Sequence, residues 1–160
     1  MSCSTTKMDH IELPSVPQNS SDFKGKLYLG SAASVYHHKW LDQVDYVISL
    51  YPISHELIGK EHDMFTVADD NQGHTLEQMK EIMDLVGPKI ARNLREGKNV
   101  LVHCFAGVSR SATVVIDFLC KYYFIFQNDR VDLAVQHVLR YRRCIHPNKG
   151  FMDLLRFRNS

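Results

Sequence analysis

Between Val100 and Val115 the chain reads VLVHCFAGVSRSATVV, and few folds accommodate that order of residue types. Val100, Leu101 and Val102 make a short, wholly apolar run, the pattern of a strand buried on both faces. Cys104 to Ser109 is a turn with small residues at Ala106, Gly107 and Ser109. From Arg110 the pattern becomes helical and apolar. A turn between a buried strand and a helix N-terminus aims several backbone N–H groups at one point. The helix dipole adds partial positive charge there, so the segment is a ready anion site. Arg110 contributes a planar fork of donors able to hold two phosphate oxygens at once.

Cys104 makes the stretch more than an anion site. A thiol at the mouth of such a loop is flanked by His103, loop amides and a guanidinium, all expected to favour the thiolate. Comparable surroundings lower cysteine pKa values from about 8.5 to roughly 3.5–7.5. A nucleophile where a phosphate binds predicts attack on phosphorus and a covalent cysteinyl-phosphate. Ser111, directly after the arginine, is expected to hydrogen-bond the departing thiolate when water releases the phosphate. The competing account of Cys104 is a buried structural thiol, since free cysteine is among the most buried residue types. Metal binding by His103 and Cys104 lacks a second Cys or His at ligand spacing, so no metal is expected.

HCFAGVSRS resembles the signature of the dual-specificity phosphatases, within the cysteine-based protein tyrosine phosphatase superfamily. GKLYLGSAASV, VADDN and RRCIHPNKGF look like stretches found in the same order in that family, so the resemblance runs from about Gly25 to Arg158. It implies a hydrolase acting through a phosphocysteine without any cofactor. Cys104 would be the nucleophile, with Arg110 and the loop residues Phe105, Ala106, Gly107, Val108 and Ser109 holding the phosphate. The leaving oxygen needs a proton, which a carboxylic acid supplies. In the family that acid sits on a loop such as VADDNQG, six residues before a leucine that opens the next helix. Leu76 is six after Asp70, so Asp70 is the better match. Asp69 is the alternative, and a third account has both aspartates only shaping the loop and capping the helix.

The arginines near the end divide similarly. Arg140, Arg142 and Arg143 crowd a helix C-terminus, where cations suit the dipole in any protein. The following IHPNKGF resembles a family stretch that packs beside the loop, which implies that Arg142 or Arg143 binds a second phosphate or braces the loop. Asn148 either braces the loop by hydrogen bonds or is an ordinary turn asparagine after Pro147.

Loop chemistry also narrows the substrate. Lipid-directed relatives tend to place lysine or arginine between the cysteine and the arginine, whereas Phe105 and Val108 are neutral and apolar. RNA-directed relatives often have Thr-His after the cysteine and Asn before the arginine; here those places hold Phe105, Ala106 and Ser109. The expected substrate is therefore a phosphorylated protein, such as a kinase or another signalling protein, carrying phosphotyrosine, phosphoserine or phosphothreonine. An RNA 5′-phosphatase, a phosphoinositide phosphatase and a non-catalytic phosphoprotein-binding module are the alternatives. The short lead-in leaves no room for a docking domain, so a stand-alone, atypical member or a catalytic fragment is expected.

The rest of the chain fits one domain. Its 160 residues, 44% hydrophobic and 23% charged, suit a single compact core, and a net charge of +1 argues against a nucleic-acid partner. No apolar run reaches membrane-spanning length and no signal peptide opens the chain, so no membrane association is expected. Cys3, Cys104, Cys120 and Cys144 show no paired spacing, which points to a reducing, cytoplasmic setting, with the nucleus as a second compartment. Residues 1–24, rich in Ser, Thr and Pro, read as a flexible lead-in to a catalytic domain over 25–160. Strands are expected at 25–30, 45–50, 64–68 and 100–103, and helices at 32–41, 76–95 (kinked at Pro88), 110–126, 129–143 and 150–158. His55 and His62, in the loop between the second and third strands, read as surface residues. This alternation implies an α/β fold: a central, mostly parallel sheet of about 4–5 strands flanked by helices on both faces, the cysteine-phosphatase fold, with the site at the strand C-termini.

Overall fold

A computed structural model describes residues 7–14 and 23–160. One sheet contains β1 (Met8–Ile11), β2 (Leu27–Gly30), β3 (Tyr46–Ser49), β4 (Glu61–Met64) and β5 (Val100–His103), in the order β1-β2-β5-β3-β4. β1 runs antiparallel to β2, and every other neighbouring pair is parallel. Parallel neighbours require crossovers. A 3-10 turn (Ala32–Tyr36) and the short α1 (His38–Leu41) carry the chain from β2 to β3, and α2 (Gly73–Arg95) carries it from β4 to β5. After β5 come α3 (Arg110–Tyr122), α4 (Arg130–Leu139) and α5 (Lys149–Arg158).

β5 is buried at every position because both its faces are covered. Val100 and Val102 enter the larger core with Met79, Val86 and Ile90 of α2 and Val115, Phe118 and Leu119 of α3. Leu101 points the other way, into a smaller core with Tyr28, Val35, Val44 and Val47. Each such side chain contributes roughly 1.5–3 kcal/mol on burial. The expected architecture, a mostly parallel sheet with helices on both faces, is the one observed.

Several boundaries differ from the expectations. Of the stretch 1–24 read as a flexible lead-in, residues 1–6 and 15–22 lie outside the described residues, but Met8–Ile11 is an edge strand paired to β2. The third expected strand, 64–68, falls earlier, at Glu61–Met64. Its polar EHDM sequence is tolerated at a sheet edge because α2 covers it: Arg92 and Asn93 donate to Glu61, and Lys89 donates to Asp63. The 32–41 helix is split into a 3-10 turn and one short α-turn, α3 stops at Tyr122, and α4 stops at Leu139. α2 begins at Gly73, where Leu76 N–H closes the first turn on the Gln72 carbonyl at 3.0 Å, and it continues through Pro88 to Arg95. Cys104 and Cys120 are free thiols. Cys144 is disulfide-bonded, which its sequence spacing did not suggest.

Candidate active site

The loop 104–109 joins the C-terminal end of β5 to the N-terminus of α3, and its conformation depends on one glycine. Gly107 has φ +70°, and a Cβ there would stand 2.6 Å from both the Gly30 carbonyl oxygen and Arg142 Nη2. Only glycine combines left-handed backbone with so close an approach. Around this residue the loop carbonyls are taken up by the surrounding protein. Ala32 N–H donates to the Phe105 carbonyl at 2.9 Å and His146 N–H to that of Val108 at 2.8 Å. Arg142 donates to the Ala106 carbonyl at 3.1 Å and to that of Gly107 at 2.9 Å. With the carbonyls drawn outward, the amides are left to turn inward, as in an anion-binding nest. The Gly107 N–H shows this, donating to Cys104 Sγ at 3.3 Å.

Cys104 is buried, with Ser111 Oγ 3.2 Å from its sulfur. The sulfur expected to act as nucleophile and the hydroxyl expected to assist its departure therefore meet. Arg110 opens α3, and its Nη1 donates to the Val67 carbonyl at 2.8 Å. Its guanidinium lies 5.8 Å from the Tyr51 ring centroid. Among the described residues, only Arg110 Nε and Tyr123 Oη are buried side-chain polar atoms without a hydrogen-bond partner. An orphaned donor at an anion loop calls for an acceptor.

His103, expected to favour the thiolate, carries no charge beside the thiol. It is fully buried, and burial pushes its pKa down to about 4, so the ring is neutral. Its Nδ1 donates to the Cys104 carbonyl at 3.1 Å, and its Nε2 lies 2.5 Å from Ser49 Oγ. His103 therefore acts on Cys104 through the backbone rather than through charge.

The two acid candidates part company in the structure. Asp69 Oδ1 accepts from Ser109 Oγ at 2.7 Å and from Asn148 Nδ2 at 2.8 Å, tying its loop to the phosphate loop. The Ser109 hydroxyl is thus spent on Asp69, and it accepts in turn from the Asn148 N–H at 3.0 Å. Asp70 is half-buried, and hydrogen bonds from Thr75 and the Gln72 N–H hold its carboxyl below the usual range. Asn148 does brace the loops: besides Asp69, it donates to the Asp70 carbonyl at 3.2 Å, and its Oδ1 caps α5 by accepting from Phe151 N–H at 2.9 Å.

Arg142 does not reach outward to a second phosphate. Its side chain is 1% exposed, and besides the two loop carbonyls it pairs with Asp9 of β1 at 2.8 Å. Arg143, its neighbour, is exposed. Phe105 and Ala106 are exposed at the mouth and Val108 is half-buried. The Phe105 ring packs against Tyr51 at 5.1 Å between centroids. Sequence reasoning missed Tyr51, Ser49 and Asp9. Ser49 ends β3 and Tyr51 follows two residues later, and β3 pairs with β5, so both stand at the same sheet end as the loop; only the strand order reveals it. Among the described residues, no group of three or more His, Cys, Asp or Glu side chains is placed to hold a metal ion, and no helix is long and apolar enough to cross a membrane.

The model of the family described as dual specificity phosphatase, catalytic domain, matches residues 27–160. The chain is 28% identical over 153 residues to the tyrosine-protein phosphatase yvh1 of Schizosaccharomyces pombe, covering 93% of this chain and 44% of that protein. It is 31% identical over 137 residues to human dual specificity protein phosphatase 9, covering 84% of this chain and 35% of that one. It thus spans less than half the length of either relative. Among solved structures, human DUSP28 superposes with a TM-score of 0.72 at 22% identity, over 98% of this chain and 95% of that chain, a likeness of fold.

Proposed function

The chain belongs to the dual-specificity phosphatase family, whose catalytic-domain model covers residues 27–160, and from that premise we propose that it hydrolyses phosphotyrosine and phosphoserine or phosphothreonine in proteins. The observation that carries this reading is the loop whose carbonyls are held outward while the Gly107 N–H points at Cys104 Sγ. A phosphate resting on those amides and on Arg110 Nε puts its phosphorus in reach of the sulfur. The Sγ–P bond forms as the P–O bond to the substrate breaks, and the leaving oxygen takes a proton from Asp70. Water then attacks phosphorus, giving its proton to the Asp70 carboxylate, while the Ser111 hydroxyl supports the sulfur as it leaves. In the free protein Asp70 holds its proton weakly. A bound phosphate dianion opposes the carboxylate charge and raises its pKa, so the acid form arrives together with the substrate.

Neutral Phe105 and Val108 beside the arginine, with Tyr51 at the rim, suit a peptide better than a polyanionic headgroup or a nucleic-acid end. The test is phosphate release by the protein and by Cys104→Ser on an aryl phosphate, phosphotyrosine and phosphothreonine peptides, a phosphoinositide and a 5′-triphosphate RNA. Release from both peptides, lost in the serine variant, is expected. Turnover of lipid or RNA with neither peptide touched would overturn the substrate class, and peptide binding without release would make the chain a binding module.

A further inference from the structure

Beneath the phosphate loop, on the sheet face of the smaller core, three polar side chains form a line that ends at the nucleophile's backbone. His62 Nε2 lies 2.8 Å from Ser49 Oγ, Ser49 Oγ lies 2.5 Å from His103 Nε2, and His103 Nδ1 lies 3.1 Å from the Cys104 carbonyl oxygen. Three different strands contribute, β4, β3 and β5.

The chemistry of the end points fixes every proton. A carbonyl only accepts, so His103 Nδ1 carries a hydrogen and donates. The buried ring is neutral, so His103 Nε2 is an acceptor, and the Ser49 hydroxyl spends its only hydrogen there. Ser49 Oγ is then an acceptor toward His62, whose Nε2 must bear the hydrogen. All donations run one way, from the half-buried His62 toward the active site.

We propose that Ser49 and His62 are positioning residues for the nucleophile, acting as a one-way hydrogen-bond relay that orients His103 against the Cys104 carbonyl and favours the Cys104 thiolate. The inference rests on the reading of Cys104 as nucleophile. A carbonyl oxygen next to a thiolate is a repulsive partial charge, and a donated hydrogen bond offsets it. Each donor in a chain polarises the next, so the His103 N–H is stronger with Ser49 and His62 in place than alone. Without Ser49, His103 Nε2 loses its donor, and the Cys104 carbonyl alone is left in the line to hold the ring. The groups facing His62 are Ser49, its chain neighbour Asp63 and His55 from the loop after β3. Because Nε2 bears a hydrogen in both the neutral and the charged ring, the direction of the relay does not depend on the charge of His62.

The test reads the thiolate itself. The rate of Cys104 alkylation by iodoacetamide is followed against pH, with the modified peptide identified by mass spectrometry and the fold checked by circular dichroism. Ser49→Ala and His62→Leu are expected to slow alkylation about three- to tenfold on the acid limb, as a shift of half a unit to one unit in the thiol titration requires. His62→Gln keeps an N–H for Ser49 Oγ and is expected to stay within about twofold of the parent on the same scale. Superimposable profiles for the parent, Ser49→Ala and His62→Leu would overturn the relay. So would a His62→Gln profile displaced as far as that of His62→Leu, which would mark His62 as filler. If Ser49→Ala does not fold, the two His62 variants decide alone. Alkylation needs no substrate, so a wrong substrate class would leave this outcome intact.

Discussion

At the residue scale, Asp69 and Asp70 are chemically identical neighbours with different employment. Asp69 is held by Ser109 and Asn148, whereas the Asp70 carboxyl accepts from Thr75 and the Gln72 N–H of its own segment. Asp70→Asn is expected to cut turnover of alkyl phosphates, which are poor leaving groups, about 10²–10⁴-fold, and that of aryl phosphates far less. Asp69→Asn, which keeps an acceptor for Ser109, is expected to lower both equally and modestly. Steady-state kinetics on a phosphothreonine peptide and an aryl phosphate distinguishes the two. His103 makes a second prediction, on stability. Its pKa is depressed to about 4 by burial, against 6.5 when exposed. Between those values the unfolded chain binds the proton and the folded one does not. Its contribution is therefore fully present above pH 6.5 and is lost as pH falls toward 4, by about 3 kcal/mol in all. Urea unfolding of the parent and of His103→Gln at pH 7.5, 6 and 4.5 is expected to show a smaller loss in the variant.

At the element scale, β1 is the part of the fold whose importance was least visible. The stretch MDHI lies among Ser, Thr and Pro residues and is short. Yet Asp9, on that strand, pairs with Arg142, which holds two carbonyls of the phosphate loop. An edge strand thus braces the active site from outside. Asp9→Ala is expected to lower stability by roughly 1.5–3 kcal/mol, the worth of a hydrogen bond to a charged group. It should also reduce turnover, because Arg142 loses its orienting partner. Glu12→Ala is the control: Glu12 accepts from the Tyr141 hydroxyl at a solvent-exposed contact, so little change is expected. Urea unfolding and turnover measured on the same preparations test both. β4 shows the same limit from the other side. Its EHDM lacks any apolar alternation and is a strand because Lys89, Arg92 and Asn93 of α2 satisfy its carboxylates. By contrast α2, with Met79, Ile82, Met83, Val86 and Ile90 at helical spacing, could be read directly, and only its first turn was missed.

At the scale of the whole molecule, residues 158–160 are clamped onto the core at a distance from the chemistry. Asp117 on α3 is buried and accepts from Arg158 Nε at 2.9 Å and Asn159 Nδ2 at 3.0 Å, with Lys121 Nζ at 3.0 Å. Arg130 donates to the carbonyls of Asn159 and Ser160. This cluster fastens α5, which in turn presents Asn148 to the two loops. Asp117→Ala leaves the half-buried Arg158 without its main partner and is expected to cost about 3–5 kcal/mol. Asp117 lies seven residues beyond Arg110, about 10 Å along the helix. In the fraction that remains folded, Cys104 alkylation at pH 7 is therefore expected to match the parent. Unfolding curves showing no loss, or a folded fraction with altered alkylation, would contradict this division between scaffold and site.

The strand, loop and helix that carry Cys104, Arg110 and Ser111 are contiguous, so residue types and spacing alone determined their order, the turn between strand and helix and the place of Cys104 within it. The two-sided sheet followed from the apolar runs and the helical periodicities for the same local reason. Tertiary structure alone decided which of two adjacent arginines turns inward, which of two adjacent aspartates is tied to Ser109 and Asn148, and that His62 and Ser49 line up behind His103. Those choices depend on partners far away in the chain: Arg142 meets Asp9 across 133 positions, and Ser49 meets His103 across 54. A contact of that span leaves no period and no spacing to read, because it is set by the order of the strands and by which face of each looks toward the loop.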